Sequence, residues 1–423
     1  MQVNQIYYNK FEMKKFIKWI YTYAGLVISS SSLSFTTSCF EKGSSKENNQ
    51  KIVKSNSTDR TVNKPSKEKE EAQFNSGRSN ASEHSGNFKN INIGFWNVLN
   101  YSNTSLSKAY FKTQALASVI FNQKYDLVGL VELKGSNNTH LDELIKLLNE
   151  QSQKISSHDR WAYRVSDKYM SNPSYTKRGD GEFAGFLYKT NKLEPIKFND
   201  GSIGKIYENP EFKETPFGGS VKHYSRPPYA MKFKILDNSL KNNDFTYIID
   251  HFDSPGKKRG SNKEVSFEGA GSSELNEAHN LQYVFDYFNE LDGENDDLFF
   301  AGDTNIKERN HNEAFSWLSK NSAYKNVFEP NNENKTSLST SINKYANSYD
   351  KIIHRSKLKY INPKIFKLYD FVNNGFLYKN INSLNDWMQY VKSSSSKKYK
   401  SNSGYIIRGI SDHSPVGYTV LFE

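Results

Sequence analysis

Apolar residues fall in short runs along most of the chain, and their spacing predicts the elements. Alternating or continuous apolar runs bounded by turn residues predict strands at 91–96, 126–131, 183–188, 229–236, 245–250, 297–301, 350–354 and 416–422. Spacing of three and four residues predicts helices at 106–122, 141–150, 274–291 and 312–319. Some strands follow helices and others follow turns, which argues for α/β layers with mixed sheets over a purely parallel sheet. Two polar stretches, 191–224 and 373–405, interrupt the pattern and read as long insertion loops. No internal repeat is visible.

The first 88 residues differ from the rest. Met13-Lys14-Lys15-Phe16 with Lys18 forms a positive segment, 19–28 is a short apolar run, and small residues lead to Thr36-Thr37-Ser38-Cys39. This is the order of a secretory signal. The chain's one cysteine stands where a lipoprotein signal places the thiol that receives a diacylglyceryl thioether, although Thr36 occupies a position where bacterial lipoproteins usually carry Leu. The expectation is a signal peptide over 1–38, lipid attachment at Cys39 and anchoring on the extracellular face of the cell membrane. An incidental cysteine behind an uncleaved signal anchor is the competing reading. Residues 39–88 are rich in Ser, Asn, Lys and Glu and cannot bury enough surface to fold. They read as a flexible tether, on the order of 40 Å root-mean-square for roughly fifty residues. Residues 89–423 are then the catalytic domain.

Composition narrows the classes. One cysteine in 423 residues excludes a disulfide scaffold. A single apolar stretch, broken by Lys18 and serines, excludes a polytopic membrane protein. The net charge of +11 suggests an anionic partner. Residues 1–88 hold 13 basic and 8 acidic side chains, which leaves 44 and 38 in the remainder, so the predicted domain is only mildly basic at +6.

Chemistry enters at the strand ends. Trp96-Asn97, Val131-Glu132 and Ile249-Asp250-His251 each finish an apolar run with a polar side chain. Gly302-Asp303-Thr304-Asn305 follows another such run, and Ser411-Asp412-His413 precedes the last strand. Polar groups gathered at strand ends of α/β sheets are where sites form. Five such ends imply a shared cleft.

These segments, with Ser348-Tyr349-Asp350 and in this order, resemble the motif series of the deoxyribonuclease I-like endonuclease/exonuclease/phosphatase superfamily over residues 90–423. With the lipoprotein start, the chain resembles a mycoplasma-type membrane nuclease. The resemblance implies a four-layer α/β sandwich of two packed mixed β-sheets flanked by helices. It also implies a Mg²⁺-dependent phosphodiesterase, with Mn²⁺ or Ca²⁺ as other candidate ions. Glu132 matches the metal-binding glutamate, Asn97 an amide serving the metal or a phosphate oxygen, and Asp412 a second ligand or orienting group. His251 and His413 match the histidines flanking the scissile phosphate, backed by Glu182 and Asp350. Asp303 and Asn305 match the pair that orients the attacking water and contacts the phosphate, and Arg226 matches a phosphate-contacting arginine. The physics agrees: Mg²⁺ takes few protein carboxylates and keeps room for water and phosphate. A histidine bonded to a carboxylate has its tautomer fixed and its cation favoured, and a guanidinium fork fits two phosphate oxygens.

Other residues have plainer readings. His84 lies in the tether, and His140, His158, His223, His279, His311 and His354 read as surface or structural groups. Glu182 competes with an exposed loop carboxylate, and Arg226 with a rim cation. Thr304 and Ser414 are candidates for capping backbone, and Lys397-Lys398-Tyr399-Lys400 reads as a solvated loop. The expected partner is DNA, with RNA left open, and no protein partner is evident. Two alternatives stand beside the nuclease: a phospholipid, sphingomyelin or inositol-phosphate phosphohydrolase, and a non-catalytic surface adhesin. The first predicts exposed apolar hairpins, whereas the insertions are polar.

Overall fold

Strands that are apolar on both faces have to be covered twice, and this chain covers them by stacking two sheets and flanking each with helices. The computed structural model describes residues 88–135, 137–166, 182–293 and 295–422. The expected signal peptide and all but the end of the tether, with Cys39 and His84, lie outside the described residues. In chain order the strands are β1 (Asn90–Tyr101), β2 (Leu127–Leu133), β3 (Trp161–Val165), β4 (Phe183–Lys189), β5 (Leu193–Ile196), β6 (Lys205–Ile206), β7 (Tyr229–Ile235), β8 (Asp244–His251), β9 (Ser266–Phe267), β10 (Ala270–Gly271), β11 (Leu298–Asp303), β12 (Tyr324–Asn326), β13 (Asp350–Arg355), β14 (Lys359–Ile365) and β15 (Val416–Leu421). The helices are α1 (Asn103–Lys108), α2 (Tyr110–Asn122), α3 (Thr139–Ser152), α4 (Ser272–Asp292), α5 (His311–Ala314), α6 (Leu384–Ser394) and α7 (Gly404–Ile407).

One sheet runs β14-β15-β1-β2-β4-β3 and the other β12-β13-β11-β8-β7-β5, with β6 also pairing β7. Each has a parallel pair at its centre, β1 with β2 and β8 with β11, and antiparallel pairing outside it. Between the sheets lies an aromatic-rich core that includes Phe95, Phe186, Phe233, Phe245 and Tyr247. At Gly129 the two sheets touch directly: a Cβ there would lie 2.5 Å from Ile249 Cγ2. On the outer face of the first sheet, Phe111, Leu116 and Leu144 of α2 and α3 pack with Trp96 and Leu130. On the second, Leu281, Phe285 and Phe288 of α4 pack with Ile248, Phe300 and Ile353. The result is the expected four-layer sandwich.

Local departures from the sequence reading have packing causes. The helix expected over 106–122 breaks at Ala109, whose φ −154° and ψ 48° are not helical. The helix expected over 312–319 stops after α5 and resumes only as a 3-10 turn at Leu318–Lys320. Phe315 and Trp317 are both buried in the core against α4, and residues two apart cannot share one helix face. The stretch 373–405 is not a loop. Ser383 Oγ caps α6 by accepting from Asp386 N at 3.1 Å, and Trp387 and Val391, four residues apart, are buried. The Trp387 ring lies 5.0 Å from Phe371 and 5.8 Å from Phe111, and its Nε1 donates to Tyr405 O at 3.0 Å. The stretch 191–224 holds β5 and β6 in otherwise irregular chain. Strands β3, β9, β10, β12 and β14 were not expected; β14 is a mostly exposed edge strand whose register shifts between Ile361 and Lys364, around Pro363.

If 373–405 is part of the core, Trp387→Ala costs about 3–5 kcal/mol of stability in urea denaturation, the range for truncating a buried aromatic. A loop residue would cost close to nothing.

Candidate active site

The sheet directions bring the chemistry to one edge. β1, β2, β8 and β11 end there, and their antiparallel neighbours β4, β13 and β15 begin there. The pairing sets Asp303 beside His251 on one side and Asp350 on the other.

Asn97, fully buried at the end of the β1 core, joins the two sheets. Its Nδ2 donates to Glu132 Oε1 at 3.0 Å and to Asp303 Oδ2 at 2.9 Å. Its Oδ1 accepts from Leu99 N, and Ser411 Oγ donates to its carbonyl at 2.6 Å. The chain then turns through left-handed Leu99 and Asn100, φ 47° and 52°, which aims Asn100 N at Glu132 Oε2, 2.9 Å away. Glu132 and Asn305 are left-handed as well, φ 60° and 55°. Such conformations cost about 1–3 kcal/mol each in non-glycine residues and persist where surrounding bonds over-determine them.

Two imidazoles face Asp303. His251 Nδ1 is 2.8 Å from Glu182 Oε2, and His413 Nδ1 is 2.7 Å from Asp350 Oδ2. Their Nε2 atoms lie 3.6 and 3.3 Å from Asp303 Oδ2. Burial by itself would push both imidazoles down. For His251, Arg226 adds to that, but Glu182 and Asp303 outweigh both and hold it above its ordinary value. For His413, Asp303 and Asp350 hold it well above. Burial opposes ionisation of Asp303, yet the two histidines and the Asn97 amide keep its carboxyl below the usual range. Against the same penalty, His251 and Arg226 hold Glu182 down at about 2.

The remaining expected residues surround this centre. Asn305 N donates to Asp303 Oδ1 at 3.2 Å, and its Nδ2 to Phe252 O at 3.3 Å. Arg226 donates through Nε to His251 O at 2.5 Å and through an Nη to Phe252 O, and lies 3.8 Å from Glu182. It therefore braces the turn that carries His251. Asp412 Oδ1 is buried without a hydrogen-bond partner, and burial, with Glu132 and Asp303 nearby, raises its pKa against the pull of His413. An unpartnered carboxylate oxygen in the field of a second carboxylate fits a divalent cation. Asp303, Asp350 and His413 also bring one ligand-type atom each within 4.8 Å. His413 already spans that trio through both nitrogens, so Glu132 and Asp412 with Asn97 are the better fit to a metal. Thr304 and Ser414 do serve backbone: Thr304 Oγ1 donates to Tyr349 O at 2.8 Å, and Ser414 Oγ accepts from Leu368 N at 3.3 Å.

Several supporting groups escaped the sequence reading. Lys112, on α2 and 5% exposed, donates to Leu99 O at 2.6 Å and so holds the strained turn. Burial lowers its pKa to about 7, with Glu132 and Asp412 opposing. Lys351 is also buried, donating to Ile306 O at 3.2 Å and to Ser348 O, and burial lowers its pKa to about 8. Glu277 of α4 accepts from Ser225 N and Asp253 N, both at 2.6 Å, tying the Arg226 segment to the turn after His251. No local signal marks these groups: each is a single charged residue of a helix or strand whose partners lie elsewhere in the chain.

No family model matches the chain. An uncharacterized protein of Mycoplasma pneumoniae is 24% identical over 462 residues, covering 79% of this chain and 90% of that one. Several solved structures are similar to this chain. One, an endonuclease/exonuclease/phosphatase family protein from Bacteroides thetaiotaomicron, is 14% identical with TM-score 0.47 over 79% of this chain and 98% of that one. A mannosyl-6-phosphatase of the same species is 14% identical with TM-score 0.48 over 78% and 100%. D. rerio TDP2 in complex with a single-strand DNA product is 14% identical with TM-score 0.42 over 78% and 98%. These likenesses are remote, and the chemistry of the cleft rests on its own side chains.

The Glu182–His251 pair sets a sign that can be measured. Glu182→Gln removes the charge that offsets burial and Arg226, so the His251 imidazole should titrate lower in the variant than in the native chain. Imidazole ¹³C NMR reads the midpoint; an unmoved one would show that another group holds the proton.

Proposed function

We propose that this chain is a divalent-metal-dependent phosphodiesterase that hydrolyses nucleic acid, with DNA as substrate and RNA left open, anchored outside the cell for nucleotide acquisition. The observation that carries the reading is the Asp303 carboxylate set 3.6 and 3.3 Å from two imidazoles, each of which is bonded through its other nitrogen to a carboxylate, Glu182 or Asp350. Of these three groups only Asp303 is held as a base. It accepts the proton of a water that attacks phosphorus, while Asn305 fixes the carboxylate's other oxygen through its backbone N–H. His413 faces a non-bridging phosphate oxygen as a cation and neutralises the charge that grows there. His251 gives its Nε2 proton to the departing oxygen, and Glu182 stabilises the imidazolium until then. Glu132 and Asp412, with Asn97, would hold Mg²⁺, which when bound supplies charge neutralisation at the phosphate.

The phospholipid reading calls for an apolar surface able to enter a bilayer. Among the described residues the large hydrophobics most exposed are Ile155, Val265 and Ile361, one in each of three separate segments. This favours the nuclease. The intact charge relay disfavours a non-catalytic adhesin. The lipoprotein motif at Cys39 supports the extracellular placement.

The purified chain should release acid-soluble nucleotides from plasmid DNA with Mg²⁺ or Mn²⁺ and stop in EDTA. His251→Ala, His413→Ala and Asp303→Asn should each lower kcat by about 10²–10⁴-fold with unchanged circular dichroism. Near-native turnover in any of them would sink its assigned role. Hydrolysis of choline phospholipid without cleavage of nucleic acid would favour the second reading. In cells, Cys39→Ser should move the protein from the membrane fraction to the medium; retention would refute the lipid anchor.

A further inference from the structure

The segment 392–408 carries Lys392, Lys397, Lys398, Lys400 and Arg408 and contains no acidic residue. Its shape is fixed from within. Tyr399 packs edge-on against Tyr405 at 5.0 Å and donates through Oη to Arg408 O at 3.2 Å. Ser403 Oγ donates to Thr340 O at 2.6 Å, and Trp387 holds Tyr405 O from below. Its two tyrosines and Ile406 are thus turned toward the core, whereas the lysines and Arg408 are exposed. Lys392 leans on the Tyr405 ring, 5.5 Å from its centroid.

The segment also lies beside the cleft. It runs through Gly409, which a Cβ would bring within 3.7 Å of Phe111, directly into Ser411-Asp412-His413. Ser411 Oγ is bonded to Asn97 O, and Asp412 O accepts from Leu338 N at 2.7 Å. Lys397 lies within electrostatic reach of the buried Lys112.

We propose that 392–408 is a backbone-binding arm: Lys397, Lys398, Lys400 and Arg408 contact successive phosphates of a nucleic-acid strand whose scissile bond lies in the cleft. The inference rests on the nuclease reading and adds to it that the substrate is a polymer extending past the site on the Asp412 side. Several cations spread along a rigid surface exceed the need of one phosphate already met by His251 and His413. A membrane surface is less well served, because membrane-binding segments pair basic residues with exposed apolar ones, and the large apolar side chains of this arm face inward.

The test uses the full chain carrying Asp303→Asn, so that bound DNA is not cut, and a fluorescent 30-base-pair duplex followed by anisotropy between 50 and 300 mM KCl. Adding Lys397→Gln, Lys398→Gln and Lys400→Gln should weaken binding roughly ten- to a hundred-fold at low salt. It should also flatten the slope of log K against log salt by about 2–3, since each phosphate contact contributes about 0.9. The three arginine exchanges at the same positions should keep the slope. An unchanged slope in the glutamine variant, loss of binding in the arginine variant, or weakened retention on phosphatidylglycerol vesicles with DNA binding intact would each overturn the arm. If the chain with native Asp303 cleaves no nucleic acid at all, the nuclease reading itself fails; cleavage with an unaltered slope removes the arm alone.

Discussion

The Asp303 carboxylate is the group on which the cleft depends. One of its oxygens takes the Asn97 amide from the opposite sheet and faces both histidine Nε2 atoms, so a single atom ties the two sheets together at the cleft and meets both imidazoles. A buried charge without compensation would be costly. Here the two imidazoles that need a negative neighbour to remain charged are the same groups that make the negative charge tolerable.

The convergence has a topological origin. Both sheets place a parallel pair at the centre and antiparallel strands outside it, so each offers strand ends and strand starts at one edge. Stacking two sheets of the same pattern brings Asn97, Glu132, Glu182 and His413 from one and Asp303, His251 and Asp350 from the other to a common floor. Around it, long-range ties fix the loops: Glu277 from α4, Lys112 from α2 and Arg226 on the His251 turn.

Much of this was legible in the sequence because strand ends are local features. Val131-Glu132 and Asp303-Thr304-Asn305 break apolar runs with groups that a core would reject, and eight strand positions followed from alternating or continuous apolar runs. What was hidden depends on distant contacts. The helix around Trp387 looked like a loop because its outer face is Ser, Lys and Asn, and only the aromatic cluster with Phe111, Phe371 and Phe376 makes it pay to fold. Lys112 and Glu277 were invisible for the same reason: a charged residue in a helix reads as solvent-facing until a carbonyl or two amides from another element are placed against it. The end of the expected helix at 312–319 was missed because Phe315 and Trp317 both turn inward, which periodicity does not encode.

The left-handed residues Leu99, Asn100, Glu132 and Asn305 carry a further meaning. They keep the cleft in a backbone state that the sheets impose and the local chain would leave if released. Strain is therefore stored at the cleft, where the charged groups meet. The hydrogen bonds that aim Glu132 and Asp303 are therefore also the ones that keep this backbone from relaxing.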